Sequence, residues 1–326
     1  MLITRRRLLG LVSATTLSAI TRIAQADEFP SRPITLIVQA APGGASDLVA
    51  RLMAEKLTAN LGAPIVIENV PAAGGNVAVQ RVIHSRPDGY TLLVCGSKSA
   101  IAESLFKSHP FNLSKDLAQV SPIGGADLAL VVNIESHLKN VQDLVREIKS
   151  RPGKVTVGVG DTIGGIQHLG AELLKSSIQG DFLIVPYGTL SKLAVAVRGG
   201  EVDAAFELMP GIVPLVQQGV FRALATTGSQ RVADFPHVPT IAEAGFPKAE
   251  LTTISLLAAP AGTPMDVIAR LNGAMAQVLA QPDFQKALRV RGAKAAVAMK
   301  PAQTQRMMDA DIEKWRSIVR LANVSL

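Results

Sequence analysis

The fold is decided by residues 34–61, which read ITLIVQAAPGGASDLVARLMAEKLTANL. The stretch opens with a short run of apolar and β-branched residues, 34–38, and a Pro-Gly-Gly turn follows it. Beyond the turn, apolar residues recur at helical spacing from Leu48 to Leu57, with polar residues between them. A strand, a glycine-rich turn and an amphipathic helix are the repeating unit of α/β proteins. The stretch therefore predicts one such unit.

The same pattern recurs along the chain. Glycine-rich loops follow predicted strands in two separate regions, near 42–76 and near 158–188, and Asn76 is expected to cap the helix at 76–84. Two C-terminal segments, 264–279 and 303–321, have helical patterns. We expect both helices to belong to the first domain. We therefore predict an α/β protein with two domains, each a mostly parallel sheet flanked by helices. Residues 27–125 and 250–326 would form domain 1, and residues 126–249 would form domain 2.

The first 26 residues have the pattern of a signal peptide. Residues 4–7 (TRRR) resemble a twin-arginine signal, and the apolar stretch 8–20 is too short to span a bilayer. Residues 24–26 (AQA) form a small-x-small cleavage site. We expect an exported, periplasmic protein cleaved after Ala26, and an ordinary secretory signal is the alternative to the twin-arginine route.

Charge and composition exclude several classes of function. The formal net charge of +7 falls to +3 once the four arginines of the predicted leader are removed. That small excess does not favour a nucleic-acid or membrane-surface partner, and 4% aromatic residues offer little for base stacking. Cys95 is the only cysteine, so a disulfide framework is excluded and a buried thiol is expected.

Signatures of catalysis are missing from the sequence. It contains no G-x-x-x-x-G-K-[ST] phosphate loop, no G-x-S-x-G elbow and no H-E-x-x-H motif. Residues 158–165 only approximate a dinucleotide-binding G-x-G-x-x-G, and the five histidines lack metal-ligand spacing. We therefore expect a binding protein without cofactor or metal, and a periplasmic enzyme acting on a small acid is the less favoured alternative.

Two loops have the chemistry of an anion site. Residues 42–47 (PGGASD) and 73–76 (AGGN) each lead from a predicted strand into a helix. Free backbone N–H groups at a helix N-terminus bind anions without a cationic side chain. The alternative is that both loops are merely tight turns. His168 opens a later helix near a glycine-rich loop, where it would either contact a ligand or pack in the core.

Many stretches resemble the Bug proteins, the substrate-binding proteins of tripartite tricarboxylate transporters. The matches cover nearly the whole mature chain in the right order. They include FPSRPITLIV at 29–38, APGGASD at 41–47, AGGN at 73–76, PDGYTLL at 87–93, VPY at 185–187, GGEVD at 199–203, VPTIAEAG at 238–245 and APAGTP at 259–264.

The resemblance implies a two-domain, periplasmic-binding-protein-like (type II-like) fold with the ligand cleft between the domains. It implies a monomer that captures a small carboxylate and delivers it to a membrane permease of one large and one small integral subunit. A sensory protein that presents its ligand to a membrane signalling partner is the alternative. The implied ligand-binding residues are Gly43, Gly44, Ser46, Asp47, Ala73, Gly74 and Asn76 from domain 1, and Asp161, Thr162, Tyr187, Gly188 and Glu207 from domain 2.

The sequence departs from the family pattern at the site. Residues 39–40 are Gln-Ala where the family has Pro-Phe, which removes an aromatic wall and suggests a roomier pocket. In the family, a Ser-Ser pair usually lies near the position of Asp161 and Thr162. Gly188 occupies the position of a family lysine, and Glu207 that of a family aspartate. These changes remove hydroxyl donors and a cation from domain 2. The hypothesis is a monocarboxylate, or a ligand whose neutral or cationic far end faces Asp161 or Glu207.

Overall fold

The computed structural model describes residues 29–43, 45–105 and 110–324. The predicted signal peptide and Gly44 lie outside these ranges. Within them the chain forms two β-sheets, and helices cover the sheets.

The first sheet has six strands in the spatial order β11-β4-β10-β3-β1-β2. Its strands are β1 (Ile34–Val38), β2 (Ile65–Asn69), β3 (Thr91–Gly96), β4 (Leu117–Ala126), β10 (Ser255–Pro260) and β11 (Ala293–Ala295). The strands β1, β2 and β3 are parallel, and β10 is antiparallel to both β3 and β4. The run at 34–38 that opens the fold is β1, whose apolar side chains are fully buried.

The second sheet has five strands in the order β7-β6-β8-β5-β9. They are β5 (Leu128–Asn133), β6 (Thr156–Val159), β7 (Leu183–Pro186), β8 (Ala204–Leu208) and β9 (Phe221–Thr226). Here β6 is parallel to β7 and β8, while β5 is antiparallel to β8 and β9.

Helices connect and cover the strands. They are α1 (Ala45–Leu61), α2 (Asn76–Ile83), α3 (Ser97–Leu105), α4 (Leu113–Asp116), α5 (Val141–Ser150), α6 (Ile166–Ile178), α7 (Leu190–Gly199), α8 (Met209–Gln217), α9 (Met265–Ala280), α10 (Pro282–Arg289) and α11 (Pro301–Ala322). Asn76 does not cap α2 as predicted, because the cap position is taken by Gly75 with φ +101°, and Asn76 is the first helical residue. A left-handed backbone there suits glycine, which has no Cβ.

The predicted α/β fold class is confirmed, but the sheets are mixed and not mostly parallel. The difference has a topological cause. The chain leaves the first sheet along β4, enters the second as β5, and later returns through β10. Because β4 and β10 carry the chain in opposite directions beside each other, they pair antiparallel.

One apolar core runs through both sheets. It contains Leu93 from the first sheet, Leu130 and Phe206 from the second, and Met308 and Trp315 from α11. The helix α11 packs against α3 and β4 and also against α6, while α9 packs on α1 and β4. The two C-terminal helices thus lie on elements of the first sheet, and α11 additionally contacts the second. The domain boundaries themselves stay a prediction.

Candidate ligand-binding site

A cavity of about 470 Å³ lies between the two sheets. It is lined from the first sheet by the loops that follow β1 and β3, and from the second by the loops that follow β6 and β8. This is the edge at which the carboxyl ends of parallel strands and the N-termini of helices meet, where α/β proteins bind ligands. The volume suits a small organic molecule.

The N-termini of helices form the first-sheet side of the cavity. Ser46 lies in the first turn of α1, Gly74 in a 3-10 helix before α2, and Lys98 in the first turn of α3. The Lys98 Nζ donates to the backbone carbonyl of Gln39 at 3.1 Å, which leaves two of its three N–H donors. Burial lowers the pKa of Lys98, and the charge of Asp161 acts in the opposite direction. This side therefore offers donors and positive potential.

Asp47 organises the loop behind Ser46. Its buried carboxylate accepts hydrogen bonds from the Gly43 N–H at 2.8 Å, Arg51 Nε at 2.8 Å and Asn69 Nδ2 at 2.9 Å. The Arg51 hydrogen bond is the main cause that lowers the pKa of Asp47 to about 2. The side chain thus ties the β1–α1 turn to the end of β2, and it is absent from the cavity lining.

The second-sheet side presents hydrogen-bond acceptors. Asp161 and Thr162 lie in the β6–α6 loop, and Gln167 lies in the first turn of α6, and all three line the cavity. Asp161 Oδ1 accepts the Thr162 N–H at 2.8 Å. A Cβ on Gly165 would lie 2.0 Å from Asp161 Oδ2. The Asp161 carboxylate therefore contacts the backbone at the start of α6.

Glu207 lies behind Gln167 and is only 3% exposed. Its Oε1 accepts Gln167 Nε2 at 2.5 Å and the Leu208 N–H at 2.7 Å. Its Oε2 makes no hydrogen bond of normal geometry among the described residues and faces the Gly160 backbone, where a Cβ would come within 2.1 Å. Burial raises the pKa of Glu207 to about 6, although its hydrogen bonds act in the opposite direction.

Several other predicted site residues do not line the cavity. His168 is buried, its Nδ1 has no partner within the described ranges, and burial lowers its pKa. Tyr187 packs against an apolar cluster that includes Leu193 and Val202, and burial raises its pKa. Gly43, Asn76 and Gly188 are also absent from the lining, and Gly44 lies outside the described residues. Of the thirteen predicted residues, Ser46, Gly74, Asp161 and Thr162 are brought together in the cavity wall.

Sequence reasoning missed several polar residues that line the cavity, among them Lys98, Gln167 and Lys294. Lys98 lies two residues after the end of β3. The third strand-to-helix unit could therefore have pointed to Lys98 as a site residue. Gln167 stands beside His168, and helical geometry decides which of the two faces the cavity. Lys294 comes from β11, a three-residue strand with no recognisable pattern.

Lys294 is neutralised where the chain crosses between the sheets. Asp127 is the single residue between β4 and β5, and it forms an isolated antiparallel bridge with Thr252 on the return path. Its buried carboxylate accepts Thr252 Oγ1 at 2.7 Å and Lys294 Nζ at 2.5 Å. The charge of Lys294 is therefore paired with a buried carboxylate, while the Lys294 side chain itself is 46% exposed.

Membrane spans and metal clusters are both missing from the described ranges. No helix within residues 29–43, 45–105 and 110–324 is long and apolar enough to cross a membrane. In that same part of the chain, no group of three or more His, Cys, Asp or Glu side chains is placed to hold a metal ion.

Comparison with known proteins gives consistent results. A family model described as the tripartite tricarboxylate transporter family receptor matches residues 49–324. Protein BugT of Bordetella pertussis is 34% identical over 320 residues, which cover 98% of this chain and 97% of BugT.

Solved structures of similar proteins carry organic acids. The structure described as R. palustris Rpa4515 with adipate has a TM-score of 0.81 and 30% identity, covering 91% of this chain and 99% of that one. MatC from Rhodopseudomonas palustris with bound malate has a TM-score of 0.76 and 29% identity, covering 89% of this chain and 100% of MatC. The fold is the two-sheet fold of periplasmic binding proteins.

Proposed function

The chain belongs to the tripartite tricarboxylate transporter receptor family, and we propose that it captures a small carboxylate between its two sheets and delivers it to a membrane permease. Membership confirms the family resemblance and makes the chain a periplasmic solute-binding protein, not an enzyme. The permease would consist of one large and one small integral subunit. Export of the chain from residue 27 onward is part of the proposal.

One observation carries the proposal. Three helix beginnings of the first sheet, represented by Ser46, Gly74 and Lys98, converge on one side of the cavity. Backbone N–H groups at such positions, the helix dipole and an ammonium group all favour a negative charge. A ligand carboxylate would lie here, and the far end of the ligand would face the second sheet. The relatives solved with adipate and malate support a ligand of this chemistry.

The first experiment is native mass spectrometry of the periplasmic protein. A small acid bound at one per chain would support the proposal and give the mass of a candidate ligand. Isothermal titration calorimetry with unbranched mono- and dicarboxylates then measures affinity directly.

The variant Lys98→Met tests the position of the carboxylate. A charge-assisted hydrogen bond contributes about 1.5–3 kcal/mol, so the affinity for every carboxylate should fall roughly 10- to 100-fold. The control is Lys149→Met, because Lys149 is exposed near the end of α5 and its side chain faces solvent. Thermal unfolding of both variants without ligand checks the fold. Unchanged carboxylate affinity in a folded Lys98→Met variant would contradict this placement.

A further inference from the structure

The second-sheet wall of the cavity presents acceptors, and a buried carboxylate fixes that arrangement. Gln167 is 9% exposed and lines the cavity, and its Nε2 donates to Glu207 Oε1 at 2.5 Å. A charged carboxylate can only accept hydrogen bonds, so the NH₂ group of Gln167 must face Glu207. The amide oxygen of Gln167 then faces away, toward the cavity, and no described residue donates a hydrogen bond to it.

Protonation of Glu207 would not reverse this orientation. Oε1 already accepts two donors, Gln167 Nε2 and the Leu208 N–H, whereas Oε2 makes no hydrogen bond of normal geometry in the described part of the chain and faces the Gly160 backbone. A proton would therefore reside on Oε2, beside Gly160. Gln167 keeps its carbonyl oxygen toward the cavity in both states of Glu207.

The charged side chains of the cavity follow the same arrangement as its hydrogen-bonding groups, with the positive charge on the donor side and the negative charge on the acceptor side. Among residues 29–43, 45–105 and 110–324, three charged side chains line it: Lys98, Asp161 and Lys294. Asp127 neutralises Lys294 at 2.5 Å. What remains is an ammonium on the first-sheet side and a carboxylate on the second-sheet side. A ligand with a carboxylate at each end would bring its second negative charge to Asp161 and to the Gln167 oxygen, where it is repelled.

We propose that the ligand is a short acid with an ammonium or other N–H donor group at its far end, and that Asp161 and Gln167 select it over dicarboxylates. Asp161 pairs with the donor group, and Gln167 accepts a hydrogen bond from it. Glu207 is a positioning residue that acts through Gln167. This inference rests on the proposed function, because it takes the carboxylate to lie on the first-sheet side.

The experiment compares ligands that differ only at one end. Calorimetry on the chain from residue 27 uses 6-aminohexanoate, adipate and hexanoate, and then the shorter series 4-aminobutanoate, succinate and butanoate. In at least one series the amino acid should bind at least tenfold more tightly than the dicarboxylate, about 1.4 kcal/mol. Tighter binding of the dicarboxylate in both series overturns the inference and leaves the proposed function intact. If no member of either series binds, the proposed function fails as well.

Two variants separate the roles of the acidic residues. Asp161→Asn should abolish the preference for the amino acid, so that the ratio of 6-aminohexanoate affinity to adipate affinity falls at least tenfold. Glu207→Gln removes the buried negative charge behind Gln167, so the second carboxylate of adipate is repelled less strongly at the second-sheet wall. Adipate affinity should then rise at least tenfold, a gain that mere loss of packing would not produce.

The control for Glu207→Gln is Glu135→Gln, because Glu135 is exposed in the turn that follows β5. It should leave all affinities unchanged. An equal loss of affinity for all three ligands in Glu207→Gln would assign Glu207 a purely structural role and overturn its part in selection.

Discussion

At the scale of single residues, Glu207 is the least conventional group in the molecule. It is almost completely buried, it lies at the carboxyl end of β8, and none of the described groups that shift its pKa is a cation. The Gln167 amide and the Leu208 N–H stabilise its charge only in part. Because burial dominates, the pKa of Glu207 rises from 4.5 to about 6.

This shift gives stability a predictable pH dependence. The folded protein holds the Glu207 proton up to about pH 6, whereas the unfolded chain releases it near pH 4.5. The native state therefore binds more protons between these values, and the stabilising contribution is complete below pH 4.5 and lost as pH rises through 6. The loss corresponds to about 2 kcal/mol.

Urea unfolding of wild type and Glu207→Gln at pH 4.5, 5.5 and 7 measures the effect. The variant should gain stability relative to wild type as pH rises, by up to about 2 kcal/mol. The control Glu135→Gln should keep a constant difference from wild type across the same pH range. Parallel wild-type and Glu207→Gln curves would contradict the raised pKa.

Single residues also limit what sequence reasoning can reach at the site. The loops of Ser46 and Gly74 were predictable, since glycine-rich turns before helices have a recognisable pattern. Asp47 belongs to the same motif, but its carboxylate is held by Gly43, Arg51 and Asn69. Asn69 is twenty-two residues away in sequence, and local patterns do not show which partner a side chain will choose.

At the scale of elements, the parallel units were predictable and the crossing strands were not. The helix pattern at 264–279 corresponds to α9 (Met265–Ala280), and the pattern at 303–321 corresponds to α11. By contrast, β4 and β10 pair over a long separation in sequence, with register shifts at two points. Their direction depends on the path of the chain between the sheets, which periodicity does not encode.

The close approach of β3 to the backbone that precedes β10 leaves no room for a side chain at Gly96. Gly96 ends β3 with φ +147°, and a Cβ there would lie 2.1 Å from the Ile254 carbonyl oxygen. Gly273 is its opposite: it lies within α9, and a Cβ added there would have no neighbour within 4 Å. The two glycines therefore form a matched pair for the same substitution.

Gly96→Ala should destabilise the protein by about 3 kcal/mol, because backbone must move to admit the methyl group. Gly273→Ala should stabilise it by up to about 1 kcal/mol, since alanine restricts the unfolded chain and favours the helix. Urea unfolding at pH 7 measures both. Equal effects of the same sign would show that the close approach at Gly96 does not exist.

At the scale of the whole molecule, the two sheets share an apolar core. Leu93, Leu130 and Phe206 represent the two sheets in one continuous cluster, and Trp315 on α11 packs into it with no exposed surface. A second link is the crossing at Asp127, where Thr252 and Lys294 hold the same carboxylate. Neither link is confined to one sheet, so neither sheet should lose its structure alone.

We therefore expect one cooperative unfolding transition. Trp315 is the only tryptophan in the sequence, so its fluorescence reports on the shared core, while far-UV circular dichroism reports on all helices and strands. In urea the two signals should change with the same midpoint, as two-state unfolding requires. A carboxylate that binds should shift both midpoints together, because ligand stabilises only the folded cavity. A circular dichroism transition that Trp315 does not report would show that one sheet unfolds independently, and the shared core would then not couple the two halves.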